Sequence, residues 1–299
     1  METTRGTCLI VGCGYVGLRL ARRQAALGPV LALVRRAASA EALIHEGIPA
    51  LALDLDDAAT AGSLPGSLMP GSVVYLAPPS GVDTDELRLA RCLELLGGTR
   101  PEVLLYLSTT GVYGDTGGAD LDEASLVATG DDRSRQRLAA EGRVTRWCAE
   151  RGVRCVVVRV PAIYGPHRLP LDRLLRGEPV LRPEASAPGN RIHVDDLVEA
   201  CLAALARPVS GTFNVTDGQP ESMADFTTRV ASLAGLPAPP RVSWAEAQRV
   251  LSPGLLAFLR EARRVTSRRA LELGWTPRYG NPGDGIRASL IEMGWAPRP

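Results

Sequence analysis

Along this chain short apolar runs alternate with longer segments of helical period, and no other feature narrows the fold as far. Such alternation builds β-α-β units, in which each helix crosses back over the sheet and successive strands run parallel. TCLIVG predicts a first strand, and YVGLRLARRQAALG a first helix with Val16, Leu20, Ala21 and Leu27 on one face and Gly28 at its end. VLALVRR and ALALDLDD follow as the second and third strands, on either side of a helix in SAEALIHEG. SVVYLAPP is the fourth strand, stopped by paired prolines that cannot continue a central ladder. The helix DELRLARCLELLGG then leads to a fifth strand in VLLYLSTTGVYG, and RQRLAAEGRVTRWCAERG to a sixth in CVVVRVPAIYG.

Beyond residue 165 the pattern loosens. Residues 166–190 are rich in Pro and Arg and read as an excursion from the sheet. The chain returns through RIHVDDLVEACLAALA, a helix whose acidic start suits the positive end of a helix dipole. GTFNVTDG supplies a late strand. The reading is an α/β chain with a core of residues 1–165 completed by about 191–218, and a small, mainly helical substrate cap formed by 166–190 and 219–299.

The first strand runs into GCGYVG, with glycines at 12, 14 and 17. A strand before and a helix after this spacing place backbone N–H groups and the helix dipole against a pyrophosphate. Gly12 then makes the tight turn, Gly14 lets the phosphates approach and Gly17 lets helix and strand pack; the alternative is a β-α turn without a ligand. At the end of the second strand, where an acid would bind the ribose 2′-OH of NAD, stand Arg35 and Arg36. Guanidinium groups suit the 2′-phosphate of NADP. NADP is the expected cofactor, with NAD the alternative and a solvated arginine pair the reading without a ligand.

Formal net charge is +1, from 34 basic and 33 acidic residues, so no global field recruits nucleic acid or a membrane surface. The expected partner is a small molecule or a second copy of the chain. Six cysteines, at 8, 13, 92, 148, 155 and 201, show no C-x-x-C and no pairing with His at metal-ligand spacing. No metal is expected, and with no secretory signal they read as reduced thiols in a cytoplasmic protein. No apolar run approaches the ~20 residues of a membrane span.

These pieces resemble the extended short-chain dehydrogenases/reductases of the NAD-dependent epimerase/dehydratase family. The resemblance is carried by the glycine loop, Asp54-Leu55, Ala77-Pro78-Pro79, STTGVYG, VRVPAIYGP and RIHVDDL, and by the later GTFNVTDGQPESMADF and SRRALELGWTPRY. It implies a doubly wound parallel Rossmann sheet with substrate under the C-terminal cap. It also implies cofactor contacts from Gly12, Gly14, Tyr15, Val16, Gly17, Arg35, Arg36, Asp54, Leu55, Ala77, Pro78, Pro79, Ser108 and Arg137. By analogy with relatives that pair through helices flanking the fourth and fifth strands, a homodimer is expected.

In such enzymes a Ser or Thr, a Tyr and a Lys carry the hydride chemistry. Thr109 matches the hydroxyl residue, with Ser108 beside it. Where the Tyr and Lys belong, four apart and just before LAAE, this sequence reads Arg133-Ser134-Arg135-Gln136-Arg137. Arg137 can replace the Lys as a fixed cation at the nicotinamide ribose. Arg133 cannot replace the Tyr, because a guanidinium stays protonated and has no proton to exchange near neutral pH. The chain thus resembles atypical members that keep the cofactor fold and lose the Y-x-x-x-K pair. The nearest acid is Tyr113, expected on a loop lining the same cleft, with packing or substrate contact as its other reading.

Among the remaining residues, Tyr164, Trp275 and Trp295 read as packing, and His167 as a surface residue within reach of substrate. His193, beside Asp195 and Asp196, is a proton carrier or a fixed point between excursion and helix. Arg168, Arg173, Arg176, Arg182 and Arg191 make the excursion basic, which suits a substrate phosphate or carboxylate, or a solvated loop. Ala162 replaces the Asn usual in this region, which argues against a nucleotide sugar. Two functions remain. One is an NAD(P)-dependent oxidoreductase or epimerase-like enzyme acting on a small polar or phosphorylated carbonyl or hydroxyl compound, with Thr109, Tyr113 and Arg137 at its centre. The other is a catalytically silent sensor of NADP(H).

Overall fold

Seven strands, β1 (Cys8–Val11), β2 (Val30–Val34), β3 (Ala50–Ala52), β4 (Ser72–Tyr75), β5 (Val103–Thr109), β6 (Arg154–Val160) and β7 (Gly211–Asn214), lie in one sheet. Their order is β7-β6-β5-β4-β1-β2-β3 and every pairing is parallel. The computed structural model describes residues 6–57, 64, 68–79, 86–260 and 262–296; residue 85, in the expected third helix, and residues 297–299 of the expected cap lie outside them. Cys8 of β1 lies between Val30 of β2 and Ser72 of β4, so the winding direction reverses at this strand. Ligands of open α/β sheets bind beyond the carboxyl ends of the strands at such a reversal.

The strands are apolar throughout because helices cover both faces. On one face α1 (Tyr15–Ala25) and, near the sheet edge, α2 (Ala37–His45) pack with Ile10, Ala32, Leu105, Val156 and Phe213. The other face holds α3 (Leu87–Leu96) and α4 (Asp132–Arg151), whose Leu89, Leu93, Val144 and Trp147 meet Leu9, Val73, Leu104 and Val157. Helix α1 stops at Ala25, so Leu27 does not continue its buried face and is 52 % exposed. Helix α4 starts earlier than its apolar pattern indicates, because Asp131 caps it by accepting the backbone N–H of Ser134.

After β6 the chain leaves the sheet through a short helix, α5 (Leu171–Leu175), and returns through α6 (Val194–Ala206), which packs beside α1. Ladders of two or three residues stitch the excursion down: residues 162–164 to 191–193, 180–181 to 241–242, and 188–189 to 221–222. Helices α7 (Met223–Leu233), α8 (Trp244–Val250), α9 (Pro253–Arg260) and α10 (Pro282–Glu292) follow. Tyr164, Leu174, Phe226, Val230, Ile286 and Leu290 form the core of this half. One segment departs from the expected cap. Residues 268–275 turn back onto the sheet, where Ala270, Leu273 and Trp275 join the main core with Phe213. The reason is the open edge at β7, where the carbonyls of Thr212 and of Ser210 just before the strand accept the Arg269 guanidinium at 2.9 and 3.2 Å. Among the described residues no helix is long and apolar enough to cross a membrane.

Candidate active site

A cleft of about 670 Å³ opens where β1, β4 and β5 end. Gly12 has φ +92°, and a Cβ there would lie 2.5 Å from the backbone nitrogen of Ala77; a Cβ on Gly17 would lie 2.6 Å from the Gly12 carbonyl. A side chain at either position would push the turn off β4 or α1. Gly14 differs, since nothing lies within 4 Å of where its Cβ would be. Space there is of use to a ligand rather than to packing. No side chain caps α1, so its first N–H groups, which lack intrahelical acceptors, face the cleft at Tyr15, Val16 and Gly17. The turn therefore fits a pyrophosphate.

Arg35 and Arg36 line the far end of the cleft together with Ser39 of α2, a hydroxyl the sequence reading overlooked. The acid nearest this rim, Asp56, is clamped by Arg88 through Nε at 2.6 Å and Nη2 at 2.5 Å. Arg88, with Arg35 Nη1 3.9 Å from the same carboxylate, holds this carboxyl below the usual range. Four residues expected at the cofactor are not among those that line the cleft. Leu55 and Ala77 are packed into the core, Asp54 accepts the backbone N–H of Asp56, and the Pro79 carbonyl accepts Arg88. Pro78 does line the cleft.

Ser108 and Thr109 end β5 at the centre of the cleft. Ser108 donates its hydroxyl proton to Glu141 Oε1 at 2.5 Å. Thr109 Oγ1 accepts the N–H of Gly111 at 3.0 Å, which leaves its own proton for a ligand. Arg137, one turn before Glu141 on α4, donates from Nη1 to the Tyr106 hydroxyl and the Leu107 carbonyl at 3.0 and 3.1 Å. These bonds fix a permanent cation on the cleft wall beside both hydroxyls. Arg133 is exposed at the start of α4 and does not line the cleft. All 34 basic residues of the chain are arginines, so no lysine from elsewhere can complete the usual pair.

Tyr113 is not an acid of this cleft. The turn Thr110–Tyr113 carries its ring beneath the sheet end, where it is fully buried. Its hydroxyl accepts Arg159 Nη1 at 3.0 Å and donates to Asn214 Oδ1 at 2.9 Å, and burial raises its pKa. Arg159 in turn grips Glu141 through Nε at 3.1 Å and Nη2 at 2.7 Å, with both side chains 8 % exposed. The signal for this buried network was an arginine inside the apolar run VVVRVP, with an acid one turn beyond Arg137. Elsewhere on the cleft wall, burial pushes the Cys13 thiol up to about 11 and the Tyr15 phenol to about 12. Among the described residues no His, Asp or Glu lines it.

Across Pro161 lies a second cavity of about 60 Å³, walled by Thr110, Ala162, Asn190, Arg191, Glu221, Met223, Leu259, Arg263 and Val265. Arg263 is held toward it by the Gly111 and Gly114 carbonyls at 3.3 and 3.4 Å. The basic excursion is mostly neutralised within the fold. Arg173 and Arg176 pair with Glu178, Arg182 lies 3.8 Å from Glu246, and Arg191 is buried over the Phe226 ring.

A family model of the NAD dependent epimerase/dehydratase family matches residues 8–216. The chain belongs to that family. It is similar, at 30 % identity and a TM-score of 0.79, to a conserved protein of unknown function from Silicibacter pomeroyi, over 96 % of this chain and 99 % of that one. The UDP-glucose 4-epimerase of Thermus thermophilus, solved with NAD, shares the fold at 22 % identity and a TM-score of 0.80, over 97 % and 99 % of the two chains. The 3-diazoavenalumate denitrifying reductase of a Streptomyces species is 29 % identical over 174 residues, 56 % of this chain and 57 % of that protein's length. The family is NAD dependent by description, which makes a nicotinamide dinucleotide the cofactor class of this epimerase/dehydratase relative.

Two buried ionisable groups of this family member lie behind the cleft. His193 caps α6 by accepting the Asp195 N–H on Nδ1, and its Nε2 lies 3.1 Å from Ser289 Oγ. Burial lowers its pKa to about 4, so it is a neutral strut and not a proton carrier. Asp217, 3 % exposed, accepts the Gln219 N–H at 3.0 Å, and burial raises its pKa to about 7. The folded chain therefore keeps this proton to a higher pH than the unfolded chain, whose Asp titrates near ~3.9. Between those values the native state binds more protons, so this residue's contribution to stability falls as pH rises. Asp217→Asn preserves the acceptor without the charge, while His193 titrates alike in both proteins. The melting-temperature difference, variant minus wild type, is expected to grow from pH 4.5 to pH 7.5 by the equivalent of roughly 3 kcal/mol. A difference that does not vary with pH would show that Asp217 titrates normally.

Proposed function

We propose that this family member is an NADP-dependent reductase of a small polar carbonyl compound and that it works without a tyrosine acid. The observation that carries the reading is the cleft lining: a fixed cation, Arg137, and a donating hydroxyl, Thr109, with no described group poised to exchange a proton near neutral pH. An epimerase must first take a proton from a substrate hydroxyl, and no described residue of the cleft can accept one. Reduction needs only that negative charge developing on the substrate oxygen be stabilised, with the proton following from water. A bound nicotinamide supplies the hydride. Thr109 donates to the substrate oxygen, Arg137 holds the ribose and sets a positive charge beside the reacting carbon, and the cavity across Pro161 takes the substrate tail near Arg263. The reductase name of the Streptomyces relative supports this direction, and Arg35, Arg36 and Ser39 support NADP.

The test follows NADPH oxidation over a panel of small aldehydes, ketones and a diazo arene. Turnover with NADPH is expected to exceed that with NADH by about 10- to 100-fold in kcat/KM, and Arg35→Ser with Arg36→Ser is expected to abolish the preference. Reduction of the diazo compound alone would keep the reductase and remove the oxygen-stabilising roles of Thr109 and Arg137. Tight NADPH binding with no turnover across the panel would favour the sensor.

A further inference from the structure

Arg168 stands apart from the other arginines of the excursion. It lines the same cleft as Gly12 and Gly14, its guanidinium carbon lies 4.1 Å from the centroid of the Tyr15 ring, and among the described residues no carboxylate pairs with it. The segment that carries it is tied to the glycine loop. The Tyr15 hydroxyl donates to the Pro166 carbonyl at 2.9 Å, and at Gly165, with φ +151°, a Cβ would meet that hydroxyl at 2.6 Å. His167 has φ 61°, so the chain turns just before Arg168, and the His167 N–H is held by Met293 Sδ at 3.1 Å. The loop is built to deliver one unpaired cation to one place.

We propose that Arg168 is the side-chain counter-ion for the dinucleotide's pyrophosphate, adding a charged side chain to the α1 amides. The proposal rests on the reading that this cleft binds NADP. The glycine loop offers the diphosphate only backbone N–H groups and a partial helix charge, whereas a guanidinium adds charge-assisted, bidentate bonds. Tyr15 keeps the guanidinium plane in position through its ring face. Because the diphosphate is common to NADH and NADPH, Arg168 strengthens both equally, unlike Arg35 and Arg36 at the 2′-phosphate.

The test measures dissociation constants by calorimetry for ADP-ribose and, in competition with NADPH, for adenosine 2′-monophosphate. Arg168→Met keeps the apolar stack on Tyr15 and removes the charge. It is expected to weaken ADP-ribose, NADH and NADPH by about 10-fold each and to leave the 2′-monophosphate unchanged, with Arg168→Lys recovering part of the loss. Arg36→Ser is expected to weaken NADPH and the 2′-monophosphate and to leave ADP-ribose and NADH unchanged. Unchanged ADP-ribose affinity in Arg168→Met, with the melting temperature retained, would overturn the role of Arg168 and leave the NADP reading intact. Wild-type protein that binds these ligands yet reduces nothing would overturn the reductase and leave Arg168 standing. Failure of the wild type to bind ADP-ribose would overturn both.

Discussion

Glu141→Ala is expected to lower the unfolding free energy by about 3–5 kcal/mol, as read from urea denaturation. The carboxylate has two buried dependants. Arg159 lies inside β6 at 8 % exposure and gives it two nitrogens, and Ser108 gives it a proton. Removing the acid leaves a full positive charge in the interior with only Tyr113 for company, and that uncompensated charge costs far more than the pair contributes while intact. Replacing both partners, Glu141→Leu with Arg159→Met, is expected to recover most of the loss, since two apolar side chains need no partner. A Glu141→Ala loss below 1 kcal/mol would mean that water reaches the pair.

Arg137→Met is expected to lower kcat for carbonyl reduction by about 100-fold, the usual effect of removing one donor aimed at developing charge. Stability should change little, because the side chain is half exposed and its stem is matched by methionine. The affinity for NADPH should fall by a smaller factor, with Arg137→Lys restoring part of the rate, since both side chains are fixed cations. Steady-state kinetics separates these effects. A fall in affinity with kcat intact would reduce Arg137 to a ribose contact. Turnover that stays level between pH 6 and 8 is the matching signature of a site in which no side chain titrates.

The parallel sheet, the glycine turn and the arginines at its rim were legible because each depends on neighbours in sequence: an apolar run, a spacing of glycines, a charge at a strand end. Gly12 and Gly17 are excluded from carrying side chains by atoms within a few residues or just beyond the adjoining strand. Tyr113 was misplaced for the opposite reason. Its surroundings are set by Arg159 and Asn214, which lie 46 and 101 residues away along the chain, and only the folded sheet brings them to its hydroxyl. Residues 268–275 escaped as well, since what draws them to the sheet is the unpaired edge of β7. Arg168 is one of five basic residues in its stretch of sequence, and nothing local to it marks it out from those that fold onto Glu178 and Glu246.

The return of Ala270, Leu273 and Trp275 to the sheet has a bearing on how the molecule is made. A ribosome that has released everything up to the late strand has produced a sheet whose last edge is still bare, and the residues that cover it emerge only some fifty positions later. The nascent chain must therefore wait for its C-terminal quarter before either half is finished. Lobes that might have been exchanged between proteins as cassettes are here sewn together by a thread running both ways.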